Sequence, residues 1–229
     1  MDRLTVFWDF DGTLVSSPHM WSCSMYRAMK EICPENGATI EDIRRFTPYI
    51  FTWSYPERDY GQYKGEKWWD FMNIGFMETY TALGLSEDEA ERACVRAREI
   101  INLRENYNIF PDSIPALERC RAAGAKNVIL SNNIPELEDI MKDMGLHVYF
   151  DGFVVSAIEG YDKPRSELFE IGKERYPAER YVMIGDNPDA DVCGGRAAGM
   201  RTVLVRRGEC DWADLSIPDL SHLPSPFDI

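Results

Sequence analysis

Five short apolar runs stand out along the chain, each closed by polar or turn-forming residues. The first is Leu4 to Trp8, which ends in Asp9-Phe10-Asp11-Gly12-Thr13. Asn127 to Leu130, Gly152 to Val155, Tyr181 to Ile184 and Thr202 to Val205 follow. A short apolar run without polar alternation reads as a strand buried on both faces, the habit of parallel sheets. Helical patterns separate the later runs. Ile114 to Ala123 stops at Gly124, Pro135 to Met144 at Gly145 and Asp189 to Ala198 at Gly199, each glycine suited to a helix C-terminus. Pro164 to Tyr176 carries its proline where a first helical turn accepts one. Strands alternating with helices of this size predict βαβ units: an α/β domain with a parallel sheet and helices on both faces.

The stretch between the first two runs is different. It offers no strand repeat and reads as helices at Met20 to Ile32, Glu66 to Leu83 and Ser86 to Leu103. Ser86 followed by Glu89 predicts a capping box at the start of the last. The expected organisation is a discontinuous α/β core of residues 1–15 and 107–229, interrupted by a helical module of residues 16–106. The proline-bearing tail after Arg207 has few helical cues and is expected to wrap the core surface.

Composition narrows the function. The 229 residues carry a net charge of −14 and 45% hydrophobic residues, enough for a large core. With no basic run, nucleic acid is excluded as a partner. Six scattered cysteines lack CxxC spacing and the three histidines lie apart, so zinc is disfavoured and reduced thiols in a cytoplasmic protein are expected. The N-terminus leads straight into a strand, no signal peptide is read, and no apolar stretch reaches the ~20 residues that span a bilayer.

Open parallel sheets bind ligands beyond the carboxyl ends of their strands. There the first run delivers Asp9 and Asp11, the second Ser131 and Asn132, and the fourth Asp186 and, a little later, Asp191. Lys163 arrives just before Pro164. Converging carboxylates repel by about 4 kcal/mol per pair at about 4 Å and an effective dielectric of about 20. An oxygen-only set that needs a cation suits Mg²⁺, which takes carboxylates together with phosphate oxygens. A hard cation, a lysine, hydroxyl donors and an ionised carboxylate make a site for phosphoryl transfer.

Asp9-Phe10-Asp11-Gly12-Thr13, Ser131-Asn132, Lys163-Pro164 and Gly185-Asp186-Asn187-Pro188-Asp189-Ala190-Asp191 resemble the four motifs of the haloacid dehalogenase-like hydrolases, in the family's order. The resemblance covers roughly 1–15 and 107–229. It implies a Rossmann-like core with an inserted α-helical cap. It also implies Asp9 as nucleophile and Mg²⁺ ligand, and Asp11 as general acid and base whose backbone carbonyl ligates Mg²⁺. Ser131, Asn132 and Lys163 would hold the phosphoryl group, Asp186 would ligate the metal, and Asp191 would order the surroundings of the metal or the lysine. The family often has an aspartate after Asp-Gly-Thr-Leu-Val, where this chain has Ser16-Ser17.

The expected activity is Mg²⁺-dependent hydrolysis of a small phosphorylated metabolite through a phospho-aspartate. The alternatives are a phosphomutase of the same superfamily, a C–halogen hydrolase, which Asp11 argues against, and a silent binding module. Nothing in the sequence speaks to oligomeric state. The segment Phe46 to Trp69 holds nine aromatic residues, which either line a substrate pocket or pack the helical module. Arg44, Arg45, Arg58, Lys64 and Lys67 lie there as grips for an anionic substrate or as surface charges. His19 is noted for its closeness to the first motif.

Overall fold

A computed structural model describes residues 3–18, 20–225 and 228. Its strands are β1 (Leu4–Trp8), β2 (Val15–Ser16), β3 (Asn108–Ile109), β4 (Lys126–Ser131), β5 (Gly152–Val155), β6 (Arg180–Gly185), β7 (Arg201–Val205) and β8 (Leu215–Ile217). Six of them form one sheet in the order β5-β4-β1-β6-β7-β8, with every pairing parallel. All five apolar runs are therefore strands of one sheet. The sixth, β8, lies in the tail that was expected only to wrap the surface. Leu215-Ser216-Ile217 alternates apolar and polar over only three residues, too short to read as a strand by itself; pairing with β7 makes it one.

The sheet is buried on both sides, as its apolar runs require. In β1, Leu4, Val6 and Trp8 enter the larger core cluster, whereas Phe7 faces a second cluster with Val128, Leu130, Phe169 and Met183. Burying one such side chain is worth roughly 1.5–3 kcal/mol. One polar residue sits inside β4. The Asn127 amide accepts from Trp8 Nε1 at 3.1 Å and donates to the Leu117 and Tyr149 carbonyls at 3.0 and 3.2 Å, so its burial leaves no orphan.

The helices are α1 (Met20–Ile32), α2 (Ile40–Arg44), α3 (Trp68–Ala82), α4 (Glu87–Ile101), α5 (Ser113–Ala122), α6 (Leu137–Asp143), α7 (Ser156–Glu159), α8 (Ser166–Arg175) and α9 (Gly194–Ala197). The first four form the inserted module, in which α4 packs on α1 and α3. Ser86 and Glu89 form both arms of the expected capping box, and Glu87, Asp88 and Glu89 place negative charge at the positive end of α4. Thr39 and Asp42 form a second capping box at α2. Between α2 and α3 the chain makes only single 3₁₀ turns, so α3 starts at Trp68 rather than Glu66.

Two core helices differ from expectation. Pro164 precedes α8 instead of opening it: the Lys163–Pro164 bond is cis, and the Arg165 N–H closes a turn on the Asp162 carbonyl. The stretch expected as one helix over Asp189 to Ala198 begins as a π-helical turn, Pro188–Cys193, with Asn187 Oδ1 capping the Asp189 and Ala190 N–H groups.

Where the chain leaves the core and returns, β2 and β3 pair antiparallel, Val15 with Ile109 and Ser16 with Asn108. Glu136, beside the second motif, ties the two regions. It accepts the Trp69 indole N–H at 3.0 Å and pairs with Arg98 at 2.7 Å.

Candidate active site

Register sets the geometry of the site. Trp8 lies level with Ile129 of β4 and Ile184 of β6, so Asp9, Ser131 and Asp186 emerge side by side at one sheet edge. The Asp9 N–H donates to the Ile184 carbonyl at 2.9 Å, fixing the residue where the strand ends. Two close approaches require glycine. Gly12 has φ +79°, and a Cβ there would stand 2.4 Å from Asp186 Oδ2; a Cβ on Gly185 would stand 2.0 Å from Asp191 Oδ2.

Lys163 is buried among these carboxylates. Its Nζ donates to Asp9 Oδ1 at 2.8 Å, Asp191 Oδ1 at 2.5 Å and the Leu130 carbonyl at 3.0 Å, which uses all three protons. Burial alone would lower the ammonium pKa; the Asp191 and Asp9 charges outweigh it and hold it above the ordinary lysine value. Asn132 clamps the lysine backbone, accepting from its N–H at 2.7 Å and donating to its carbonyl at 3.0 Å.

Asp9 Oδ1 accepts from Ser131 Oγ at 2.9 Å as well as from Lys163. Its Oδ2 has no hydrogen-bond donor among the described residues. Asp11 is gripped by Ser17 Oγ on one oxygen and by Asn133 Nδ2 on the other, the latter at 2.7 Å. Desolvation pushes the Asp11 carboxyl up to about 6; the Asp9 and Asp186 charges add to this, and the Ser17 and Asn133 hydrogen bonds oppose it. Desolvation also raises Asp186, helped by Asp9 and opposed by Arg207, whose Nε and Nη2 reach Asp186 Oδ2 at 2.8 and 2.7 Å. Burial likewise raises Asp191, which accepts the Asn187 N–H at 2.9 Å.

One oxygen from each of Asp9, Asp186 and Asp191 falls within a 4.8 Å cluster. This all-oxygen donor set, bounded by a glycine whose Cβ would fill it, fits a small hard cation. Both Asp191 oxygens already have partners, so it serves Lys163 as counter-ion.

Every residue expected at the site comes to this edge. Sequence reasoning missed Ser17, Asn133 and Arg207, since an isolated serine, asparagine or arginine carries no periodic or spacing signal. Among the grips considered for an anionic substrate, Arg44 and Arg45 pair with Glu41 and Asp42, and Arg58 lies over the Tyr55 ring. His19 lies outside the described residues. The edge opens into a cavity of ≈ 510 Å³.

Known proteins bear on this geometry. A family model described as haloacid dehalogenase-like hydrolase matches residues 4–199. Phosphoserine phosphatase of Thermus thermophilus is 34% identical over 128 residues, and the match spans 53% of this chain and 51%, about half, of that protein. Haloacid dehalogenase-like hydrolase domain-containing protein 3 of Xenopus laevis is 24% identical over 99% of this chain and 93% of its own. Among solved structures, a HAD phosphatase from Thermococcus onnurineus superposes with a TM-score of 0.67 at 26% identity, covering 96% of this chain and 95% of its own. The family match takes in all four motifs as well as the helical insert between the first two, and the protein belongs to the haloacid dehalogenase-like hydrolases.

Proposed function

We propose that the protein is a Mg²⁺-dependent phosphatase that cleaves small phosphate monoesters through a phospho-aspartate on Asp9. The observation that carries this is the asymmetry of Asp9, a residue that lines the cavity: Oδ1 is held by Ser131 and Lys163, while Oδ2 has no donor among the described residues. An anchored carboxylate with one free oxygen is preorganised for attack. The phosphatase names of the Thermus and Thermococcus relatives support the same reading.

In this mechanism Asp9 Oδ2 attacks phosphorus and the bond to the ester oxygen breaks. Asp11, protonated, gives its proton to that departing oxygen. A water then attacks the phosphorus of the phospho-aspartate, Asp11 takes the proton it releases, and phosphate leaves with Asp9 restored. Ser131 and Lys163 keep Asp9 oriented and offset charge on the phosphoryl oxygens. Asn132 acts by holding Lys163, since both ends of its amide are engaged there. Asp9 and Asp186, with the Asp11 backbone carbonyl as the resemblance implies, would hold Mg²⁺. The ion, when bound, supplies positive charge for the phosphoryl oxygens.

We read residues 16–106 as the cap that sets specificity, with the β2–β3 pair as its junction to the core. The cytoplasmic assignment draws support from six cysteines that are all unpaired, and among the described residues no helix is long and apolar enough to cross a membrane. The test is release of inorganic phosphate from p-nitrophenyl phosphate with Mg²⁺, its loss in EDTA, and acid-stable trapping of label on the protein. Full activity in chelator would overturn the metal assignment. Phosphate reappearing on the same sugar instead of in solution would make the protein a phosphomutase.

A further inference from the structure

Besides the carboxylates, the cavity has a lining of different chemistry. It is made by Trp21 at the start of α1 and by Trp53 and Pro56 from the segment between α2 and α3. The two indoles belong to a packed cluster of rings. Trp21 lies 4.8 Å from Phe51 and 6.4 Å from both Trp68 and Trp69, centroid to centroid. Trp53 stacks on Phe51 at 4.7 Å and 7° and on Trp68 at 6.0 Å and 22°. Phe51, Trp68 and Trp69 are buried, while Trp21 and Trp53 keep surface free. Rings held this way lose little freedom when a ligand meets them.

Positive charge is scarce around this cavity. Among the described residues lining it, Lys163 is the one cation, against five aspartates. All three Lys163 protons are already engaged. A metal and Lys163 can neutralise one phosphoryl group, but a second anionic group on the substrate would meet carboxylates and indoles; among the described residues the nearest further cation at these carboxylates, Arg207, is already paired with Asp186. A hydroxyl-rich leaving group would be desolvated against tryptophan and proline. An uncharged flat ring gains from the same surface.

Resting on the phosphatase reading, we propose that the favoured substrates are monophosphate esters whose leaving alcohol is uncharged and carries an aromatic ring, seated against Trp21, Trp53 and Pro56. Two sources supply this chemistry: nucleoside monophosphates and arylalkyl phosphates. The cavity volume suits either, within the range of about 300–1,000 Å³ usual for small-molecule sites.

The experiment compares kcat/KM within pairs that both release a primary alkoxide and differ in the ring. Uridine 5′-monophosphate is set against ribose 5-phosphate, and benzyl phosphate against cyclohexylmethyl phosphate, all with Mg²⁺. The ring-bearing member of at least one pair should be favoured by about tenfold or more, equivalent to about 1.4 kcal/mol. The pair that shows it names the source. In Trp53→Leu and Trp21→Leu the preference should shrink severalfold, and phosphoglycolate and fructose 1,6-bisphosphate should rank below ribose 5-phosphate in the unaltered protein. Ratios near one in both pairs, or preference for the doubly anionic esters, would overturn the inference and leave the phosphatase reading standing. If no ester is turned over, the phosphatase reading falls, and tryptophan emission decides the ring seat. Quenching by uridine or benzyl alcohol that is lost in Trp53→Leu upholds it, and absence of quenching overturns it.

Discussion

The sheet edge and the roof above it enclose one cavity with opposite materials. On the core side, charged groups sit within 3 Å of assigned partners: Lys163 on Asp9 and Asp191, Arg207 on Asp186. On the cap side, rings pack on rings. The core edge is built from groups whose positions are dictated by strand register and hydrogen bonds, which are directional and tolerate little displacement. The roof is built from apolar contact, which is non-directional and can be recut without disturbing the edge. On the function proposed, a fold divided this way would keep one chemistry while varying what is admitted to it.

The sharpest way to break that contrast is at Asp9. Asp9→Asn should remove turnover almost completely, by well over about 10³-fold, while thermal unfolding stays within a few degrees of the parent. Near-normal phosphate release from this variant would end the covalent mechanism. Asp11→Asn comes next. Loss of proton transfer should cost about 10²–10⁴-fold on an alkyl phosphate and far less on p-nitrophenyl phosphate, whose phenolate needs no proton. The phospho-aspartate should accumulate, as read by acid quench. Equal losses on both substrates without accumulation would reduce Asp11 to a positioning role.

On the roof side the expected damage is to stability. Trp68 is 2% exposed. Trp68→Ala should lower unfolding free energy by about 3–5 kcal/mol in a denaturant titration. In the fraction that remains folded, p-nitrophenyl phosphate turnover should fall much less than in either aspartate variant. A collapse of aryl phosphate chemistry in folded Trp68→Ala would show that the two regions are not separable. The smallest effect concerns Arg207, which lies on Asp186 but is itself 62% exposed. Arg207→Ala should free that carboxylate and tighten Mg²⁺ binding severalfold, seen as a lower Mg²⁺ midpoint in thermal-shift titration. Weaker binding would mean that the arginine orients Asp186 for the metal.

The core edge was legible in the sequence for a physical reason. Buried parallel strands need continuous apolar runs, and the polar residues that close those runs must lie at the sheet edge, so Asp9, Ser131 and Asp186 announce their own location. The boundary residues were less legible. Pro164 suits a first helical turn and a pre-helix turn equally, and only the Asp162–Arg165 hydrogen bond decides between them. Leu215 to Ile217 becomes a strand because β7 offers it a free edge.

The sequence by itself determined five of the six strands of the sheet, the order of the motifs and the identity of the carboxylates, because these rest on local pattern and chain order. Only the tertiary structure decided which groups hold them. Ser17 and Asn133 close on Asp11 across separations of 6 and 122 residues respectively. Trp21 and Trp53 meet over the site from two different elements. Contacts such as Asn133 on Asp11 and Trp21 on Trp53 depend on how separate segments pack together, and a side chain brought in by long-range packing leaves no periodic trace in its own neighbourhood.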